Sequence, residues 1–78
     1  MENTFVFESA EDIMYEHIVL INAIMDNRRK FTVDVCGVHA SFVKTHEFQD
    51  GYVAIFNDCN KNLICIVAVH KGGRTEVL

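Results

Sequence analysis

The spacing of apolar residues changes once along the chain, near residue 30. Between Ser9 and Asn27 the apolar residues recur every three to four positions, and this period predicts an amphipathic helix over residues 10–27. Ser9 has the side chain of a helix N-cap, and Asn27 can end the helix. The predicted buried stripe, which includes one histidine, consists of Ile13, Met14, His17, Ile18, Leu20, Ile21, Ile24 and Met25.

From residue 30 onward the period shortens to two residues, which is typical of strands. The predicted strands cover residues 31–36, 38–48, 52–56, 63–69 and 75–78. Residues 52–56 and 63–69 are apolar at both odd and even positions, so neither strand can leave one face in water. The helix can cover one face of residues 63–69. The other face then needs either a sheet that closes on itself or a second copy of the chain.

Three shorter signals complete the predicted order of elements. Asp50-Gly51 is the strongest hairpin turn in the chain, and a second glycine turn spans residues 70–74. Phe5-Val6-Phe7 predicts a short strand or an apolar arm ahead of the helix. The order predicts an α+β fold, with one N-terminal amphipathic helix packed on a strongly twisted antiparallel sheet of about five strands. The sheet forms an open meander or a small bent barrel of the SH3 type.

A short helix followed by five bent antiparallel strands, over about residues 10–78, resembles the Sm/Hfq-like small barrel. The resemblance implies an RNA-binding ring of six or seven chains. The family's RNA-contacting loop, of the Asp-x-x-Asn type, has no counterpart in this sequence. His46, Asp50 and Asn57 are the nearest residues, and no role is transferred to them.

Length and cysteine content place the chain in a broad class. Seventy-eight residues form one small domain, residues 1–78, with a modest core that oligomerisation would stabilise. Three cysteines, no signal peptide after Met1 and no apolar run of about 18 residues predict a reduced cytoplasmic protein with free thiols and no membrane contact.

Charge is distributed unevenly around a net charge of −4. Residues 1–26 contain six acidic residues and neither Lys nor Arg, whereas residues 27–78 contain seven basic and five acidic residues. This balance argues against a dedicated nucleic-acid-binding protein. On the predicted helix, four acids form a ridge whose mutual repulsion costs stability. The predicted partner-binding residues are Glu8, Glu11, Asp12 and Glu16.

Basic residues offer a weaker candidate site for a phosphate or carboxylate ligand. Arg28 and Arg29 follow the helix, while Lys71 and Arg74 flank the glycine turn. Backbone amides of such a turn can hold an anion together with arginine. The four residues form one patch only if the helix end lies near the last hairpin.

Other reactive side chains give no assigned chemistry. Cys36 and His39 have a Cys-x-x-His spacing, but a second close pair of ligands is missing. No metal or cofactor is therefore predicted, and metal binding by this pair stays open. Cys59 lies between Asp58 and Asn60, and neither neighbour is a cation that would activate a thiol nucleophile. We predict that the chain is not an enzyme.

The leading hypothesis is a small, non-catalytic intracellular protein-binding module that forms a homodimer. Its size and acidic surface are typical of a phage- or mobile-element-encoded inhibitor of a host protein. Two alternatives come from other classes. One is an Sm/Hfq-like RNA-binding oligomer, and the other is an oligomer that binds a small ligand or nucleotide.

Overall fold

The computed structural model describes residues 3–78 and has two β-sheets and one α-helix around a common core. The first sheet contains β1, β2 and β3, and the second contains β4, β5, β6 and β7 in that order. The predicted α+β class is confirmed. The elements in chain order are β1 (Asn3–Phe7), a 3-10 helix (Ala10–Asp12), α1 (Tyr15–Asp26), β2 (Phe31–Val35), β3 (Val38–Ala40), β4 (Phe42–Phe48), β5 (Gly51–Asn57), β6 (Leu63–His70) and β7 (Thr75–Val77).

The single helix predicted over residues 10–27 is wrong at its beginning. Ile13 and Met14 have extended backbones and separate the 3-10 helix from α1. The Ser9 hydroxyl accepts a hydrogen bond from the Glu11 amide (3.1 Å), so Ser9 caps the 3-10 helix and not α1. The α1 helix is capped instead by His17, whose Nδ1 accepts from the Met14 amide (2.9 Å). The caps at Ser9 and His17 therefore divide a segment for which the apolar period predicts a single helix.

The strand expected at residues 5–7 is confirmed as part of β1, but its pairing changes the topology. β1 runs parallel to β2, with Asn3 opposite Phe31 and Phe7 opposite Val35. A parallel pair needs a long crossover, which α1 supplies. The helix is therefore not the first element, and the strands are not all antiparallel, which corrects the prediction of a wholly antiparallel sheet.

The predicted strand over residues 38–48 is also wrong, because it is broken at Ser41. β3 ends at Ala40 in the first sheet, and β4 begins at Phe42 in the second. The Ser41 amide donates to the Asn57 carbonyl (2.9 Å), which fixes the corner. This break replaces the predicted five-stranded sheet with sheets of three and four strands.

Both predicted glycine turns join antiparallel strands, although the first is shifted by one residue. Phe48 pairs with Gly51, so the loop is Gln49-Asp50 and Gly51 is the first residue of β5. A Cβ atom on Gly51 would collide with the Val69 carbonyl oxygen of β6. Close backbone approach, rather than turn geometry, thus requires glycine at this position.

The core lies between α1 and the inner sides of both sheets. Leu20, which the helical period places in the buried stripe, is 49% exposed, because it lies at the margin of the face formed by Ile18, Ile21 and Ile24. The largest fully buried side chains are Phe56, Ile13, Ile18, Ile21, Val33, Val35, Val67 and Val69.

Candidate protein-binding surface

The face of the four-stranded sheet that points to α1 is covered by the chain itself. Thr45 on β4 donates its hydroxyl hydrogen to Asn22 Oδ1 of α1 (2.6 Å). Thr75 on β7 donates to the Ile13 carbonyl just before α1 (2.6 Å). The helix therefore crosses the sheet from β7 to β4. We call this covered side the inner face of the four-stranded sheet.

The opposite side of the same four strands is the outer face. Strand residues alternate between faces, and the register aligns His46, Val53, Ala68 and Glu76 in one row across the sheet. Side-chain contacts among Phe48, His70 and Glu76 place these three residues on one side. The outer face is formed by Phe42, Lys44, His46, Phe48, Val53, Ile55, Ile66, Ala68, His70 and Glu76.

The middle of the outer face is apolar and lies outside the core. Val53, Ile55 and Ile66 are half-buried by their neighbours on the sheet, and Ala68 is 8% exposed. None of these four residues belongs to the cluster of buried side chains packed around α1, although Ala68 is itself buried by its neighbours on the sheet. The chain covers Val67 and its inner-face neighbours but leaves this side open. The second cover that residues 63–69 require is therefore not provided by the described chain.

Polar groups border this apolar centre on both sides. Lys44 and His46 lie on β4 at one edge and are not buried. At the other edge Glu76 Oε1 contacts His70 Nε2 (2.8 Å) and Arg74 Nη2 (2.9 Å). Both contacts use Oε1, so Oε2 can accept from a partner. An apolar centre within a polar rim is the usual composition of a protein interface.

The four acids proposed from the sequence do not share one helix. Glu8 follows β1, Glu11 and Asp12 are in the 3-10 helix, and Glu16 is in the first turn of α1. The ion pairs within residues 3–78 involve none of them. Because α1 begins at Tyr15, the helix dipole stabilises Glu16 directly. A helix that started at residue 10 would place Glu16 too far from its N-terminal end for this stabilisation.

The basic residues proposed as a ligand site lie at two ends of the helix. Arg28 and Arg29 follow its C-terminal end. Arg74 precedes Thr75, which contacts Ile13 at the beginning of the helix. Twelve residues of helix, about 18 Å, separate these positions. The structure does not bring Arg28 and Arg29 together with Lys71 and Arg74.

The cysteines and histidines are dispersed. Cys36 is an exposed turn residue with a positive φ of 55°, and His39 contacts Asp34 (3.3 Å) on the surface. Burial raises the pKa of the Cys65 thiol, and the nearby Cys36 raises it further. No three His, Cys, Asp or Glu side chains between residues 3 and 78 are grouped closely enough to hold a metal ion.

An open pocket adjoins the outer face at Phe42, which is 55% exposed. Its volume is about 450 Å³. Asp58 Oδ1 accepts from the amides of Asn60 and Asn62 (2.9 Å each), so this carboxylate holds the loop in shape. Sequence reasoning missed this pocket because it forms where Ser41 breaks the predicted strand. The lining residues are Ser41, Phe42, Asn57, Asp58, Cys59 and Lys61.

Neither the length of the helix nor comparison with known proteins indicates a function. Across residues 3–78, no helix has the length and apolar character needed to cross a membrane. Comparison with known proteins gives no match to a family model, to a curated protein or to a solved structure.

Proposed function

We propose that this chain is a small non-catalytic protein-binding module and that the outer face of its four-stranded sheet is the binding surface. The observation that supports this proposal is the uncovered apolar centre made by Val53, Ile55, Ile66 and Ala68. Contiguous apolar patches on small proteins mark interaction sites, because water contact with them costs free energy that a partner removes.

The chemistry of the outer face defines the partner. The partner's surface is apolar at the centre, with an acidic group opposite Lys44 and a basic group opposite Glu76. The acids Glu8, Glu11, Asp12 and Glu16 offer a second contact area for a basic surface. A module of this kind acts by occupying another protein's surface, as a phage- or mobile-element-encoded cytoplasmic inhibitor of a host protein does.

The two alternative functions have less support. The separation of the basic residues along the helix leaves the ligand-binding hypothesis without a convergent site. An RNA-binding ring would need a basic footprint, and the outer face carries one lysine. The RNA alternative still predicts salt-sensitive retention of RNA by the purified chain.

Affinity capture with matched variants tests the proposal. The outer-face variant Ile55→Thr with Ile66→Thr keeps β-branched side chains but makes the centre polar. Val6→Thr is the control, since Val6 is 68% exposed on the first sheet. We expect the outer-face variant to lose a captured protein that wild type and control retain. The protein is then identified by mass spectrometry, and its purified form is titrated by calorimetry.

Two results would contradict the proposal. One is equal affinity of the purified partner for wild type and the outer-face variant. The other is loss of binding only when Glu8, Asp12 and Glu16 are all changed to Lys, which would assign binding to the acidic surface instead.

A further inference from the structure

Charge is arranged asymmetrically across the outer face. Lys44 and His46 lie at the β4 edge. Glu76 lies at the β7 edge, where its Oε1 contacts His70 and Arg74 and its Oε2 is left for a partner. Between them the same rows carry only apolar side chains on β5 and β6. A partner surface that matches this order must be acidic opposite β4, apolar in the middle and basic opposite β7.

A second copy of this chain has that order when it is rotated by 180° about an axis parallel to the strands. We propose that the occupant of the outer face is a second copy bound in this way. The inference rests on the proposed function, because it takes the outer face as the binding surface and names what binds there.

The rotation fixes which residues meet. We place the axis midway between β5 and β6. Each row of residues across the sheet then faces the same row of the second copy, with the order of the strands reversed. His46 then lies opposite the partner's Glu76, and Val53 lies opposite the partner's Ala68. Lys44 is one row away, about 7 Å along the strand, within reach of the same carboxylate. In the row of Val53 and Ala68 a large side chain packs over a small one, and in the neighbouring row Ile55 lies opposite the partner's Ile66. Each β4 edge, with Lys44 and His46, meets the partner's Glu76.

The other two-fold arrangement of the same faces is unfavourable. An axis in the sheet plane but across the strands places β4 over the partner's β4 and β7 over the partner's β7. Lys44 then approaches the partner's Lys44, and Glu76 approaches the partner's Glu76. Like charges across an interface suppress such pairings, so charge selects the axis parallel to the strands.

The size of the face is sufficient for a reversible dimer. The four strands contain 7, 7, 8 and 3 residues. At about 3.4 Å per residue and about 4.8 Å between strands, they cover about 400 Å² of flat sheet per copy. When two such sheets pack about 10 Å apart, each copy buries this area. Side chains that protrude from the sheets bury additional area. The total, about 800 Å² before protruding side chains are counted, is the size of weak, reversible interfaces. We therefore expect dimerisation only at micromolar or higher chain concentrations.

Sedimentation equilibrium of the purified chain over a range from about 1 to 300 µM tests the inference. We expect wild type to approach twice the 8.9 kDa mass of one chain as concentration rises. Ile55→Thr with Ile66→Thr should weaken the dimer at least tenfold, whereas Val6→Thr should leave it unchanged. Circular dichroism of each variant establishes that it is folded.

Charge reversal tests the axis independently of the apolar centre. Lys44→Glu should weaken the dimer about tenfold, because each dimer contains two such contacts. Combining Lys44→Glu with Glu76→Lys and Arg74→Glu, so that position 76 keeps an oppositely charged neighbour, should restore affinity to within about threefold of wild type. Failure of the combined variant to recover affinity overturns the parallel-axis arrangement.

The mass measured in solution also distinguishes a failure of this inference from a failure of the proposed function. A wild-type chain that stays monomeric at every concentration overturns the self-association inference. The proposed function survives that result if a purified foreign partner still binds wild type better than the Ile55→Thr, Ile66→Thr variant. A mass of six or seven chains also overturns the dimer and favours the ring alternative.

Discussion

The two sheets cover the same core but present different outer surfaces. On the outer side of the three-stranded sheet, Thr32 donates to Thr4 (3.3 Å) and His39 contacts Asp34 (3.3 Å). Val6 is the one large apolar side chain that β1 adds there. The corresponding side of the four-stranded sheet has a continuous apolar centre instead. Both sheets fold against α1, so an apolar outer surface is not a requirement of this fold.

The difference shows which apolar residues serve folding and which are available for binding. Val33 and Val35 alternate with Thr32 and Asp34 on β2, so this strand buries one side and hydrates the other. β6 instead has Val67 buried against the core and Ile66 on the open side. Full burial of an exposed side chain of this size contributes about 1.5–3 kcal/mol, and covering Ile66, which is already half-buried, contributes a part of that. A partner that covers the outer face removes this apolar area from water, which the folding of one chain does not do.

The largest expected effect comes from breaking the sheet that carries both faces. Gly51→Ala places a Cβ atom against the Val69 carbonyl oxygen, which belongs to the backbone of β6 and cannot move without disturbing the register. We expect a loss of about 3 kcal/mol in the free energy of unfolding, measured by urea denaturation. Gly72→Ala is the matched control, because a Cβ atom added there would have no neighbour within 4 Å. Equal midpoints for both variants would show that β5 and β6 are not as close as described.

The second prediction compares the two faces directly with one isosteric change. Val67→Thr buries a hydroxyl group in the core without a partner and should cost about 2 kcal/mol. Val53→Thr makes the same change on the outer face, where water reaches the side chain, and should cost less than about 0.5 kcal/mol. Urea denaturation at a protein concentration of about 1 µM keeps the measurement on the monomer. Similar losses for both variants would contradict an open outer face.

The third prediction compares two threonine hydrogen bonds. Thr45→Val removes the contact to Asn22 on the inner face and should cost about 1 kcal/mol, because a half-buried acceptor is left unpaired. Thr4→Val removes an exposed contact on the three-stranded sheet and should change stability by less than about 0.5 kcal/mol. Thermal unfolding of both variants measures the difference, and a reversed order would refute it.

The sequence predicts those features that depend on local period and turn chemistry. The alternation in β2, the glycine turn before β7 and the helical period of α1 are all visible in it. The break at Met14 is not, because it depends on the His17 ring reaching back to the Met14 amide. The parallel pairing of β1 with β2 is also hidden, since the period of a strand does not reveal its neighbour.

The sequence indicates that an apolar surface remains uncovered, but it does not show which residues form that surface. Apolar residues on both sides of residues 63–69 predict that two covers are needed, but they do not say which one the chain provides. The register answers this by placing Val67 toward α1 and Ile66 away from it. The acidic residues can be read directly from the sequence. Their distribution over three separate parts of the fold cannot, because it depends on the later start of α1.

The smallest expected effect concerns Cys65 at the end of the inner face. Burial, with a further effect of Cys36, raises the pKa of this thiol above 9.0, so the folded state keeps its proton to a higher pH than the unfolded state does. The neutral thiol therefore contributes stability that is complete below pH 9.0 and is lost as pH rises through the folded pKa. We expect the free energy of unfolding to fall more steeply as pH rises above 9.0 in wild type than in Cys65→Val, which has no thiol at this position. Urea denaturation across that pH range measures both slopes, and Cys59→Ser, at an exposed cysteine, is the control. If wild type and Cys65→Val have the same slope, the inner face does not hold Cys65 in its neutral form, and water reaches that end of the sheet from both sides.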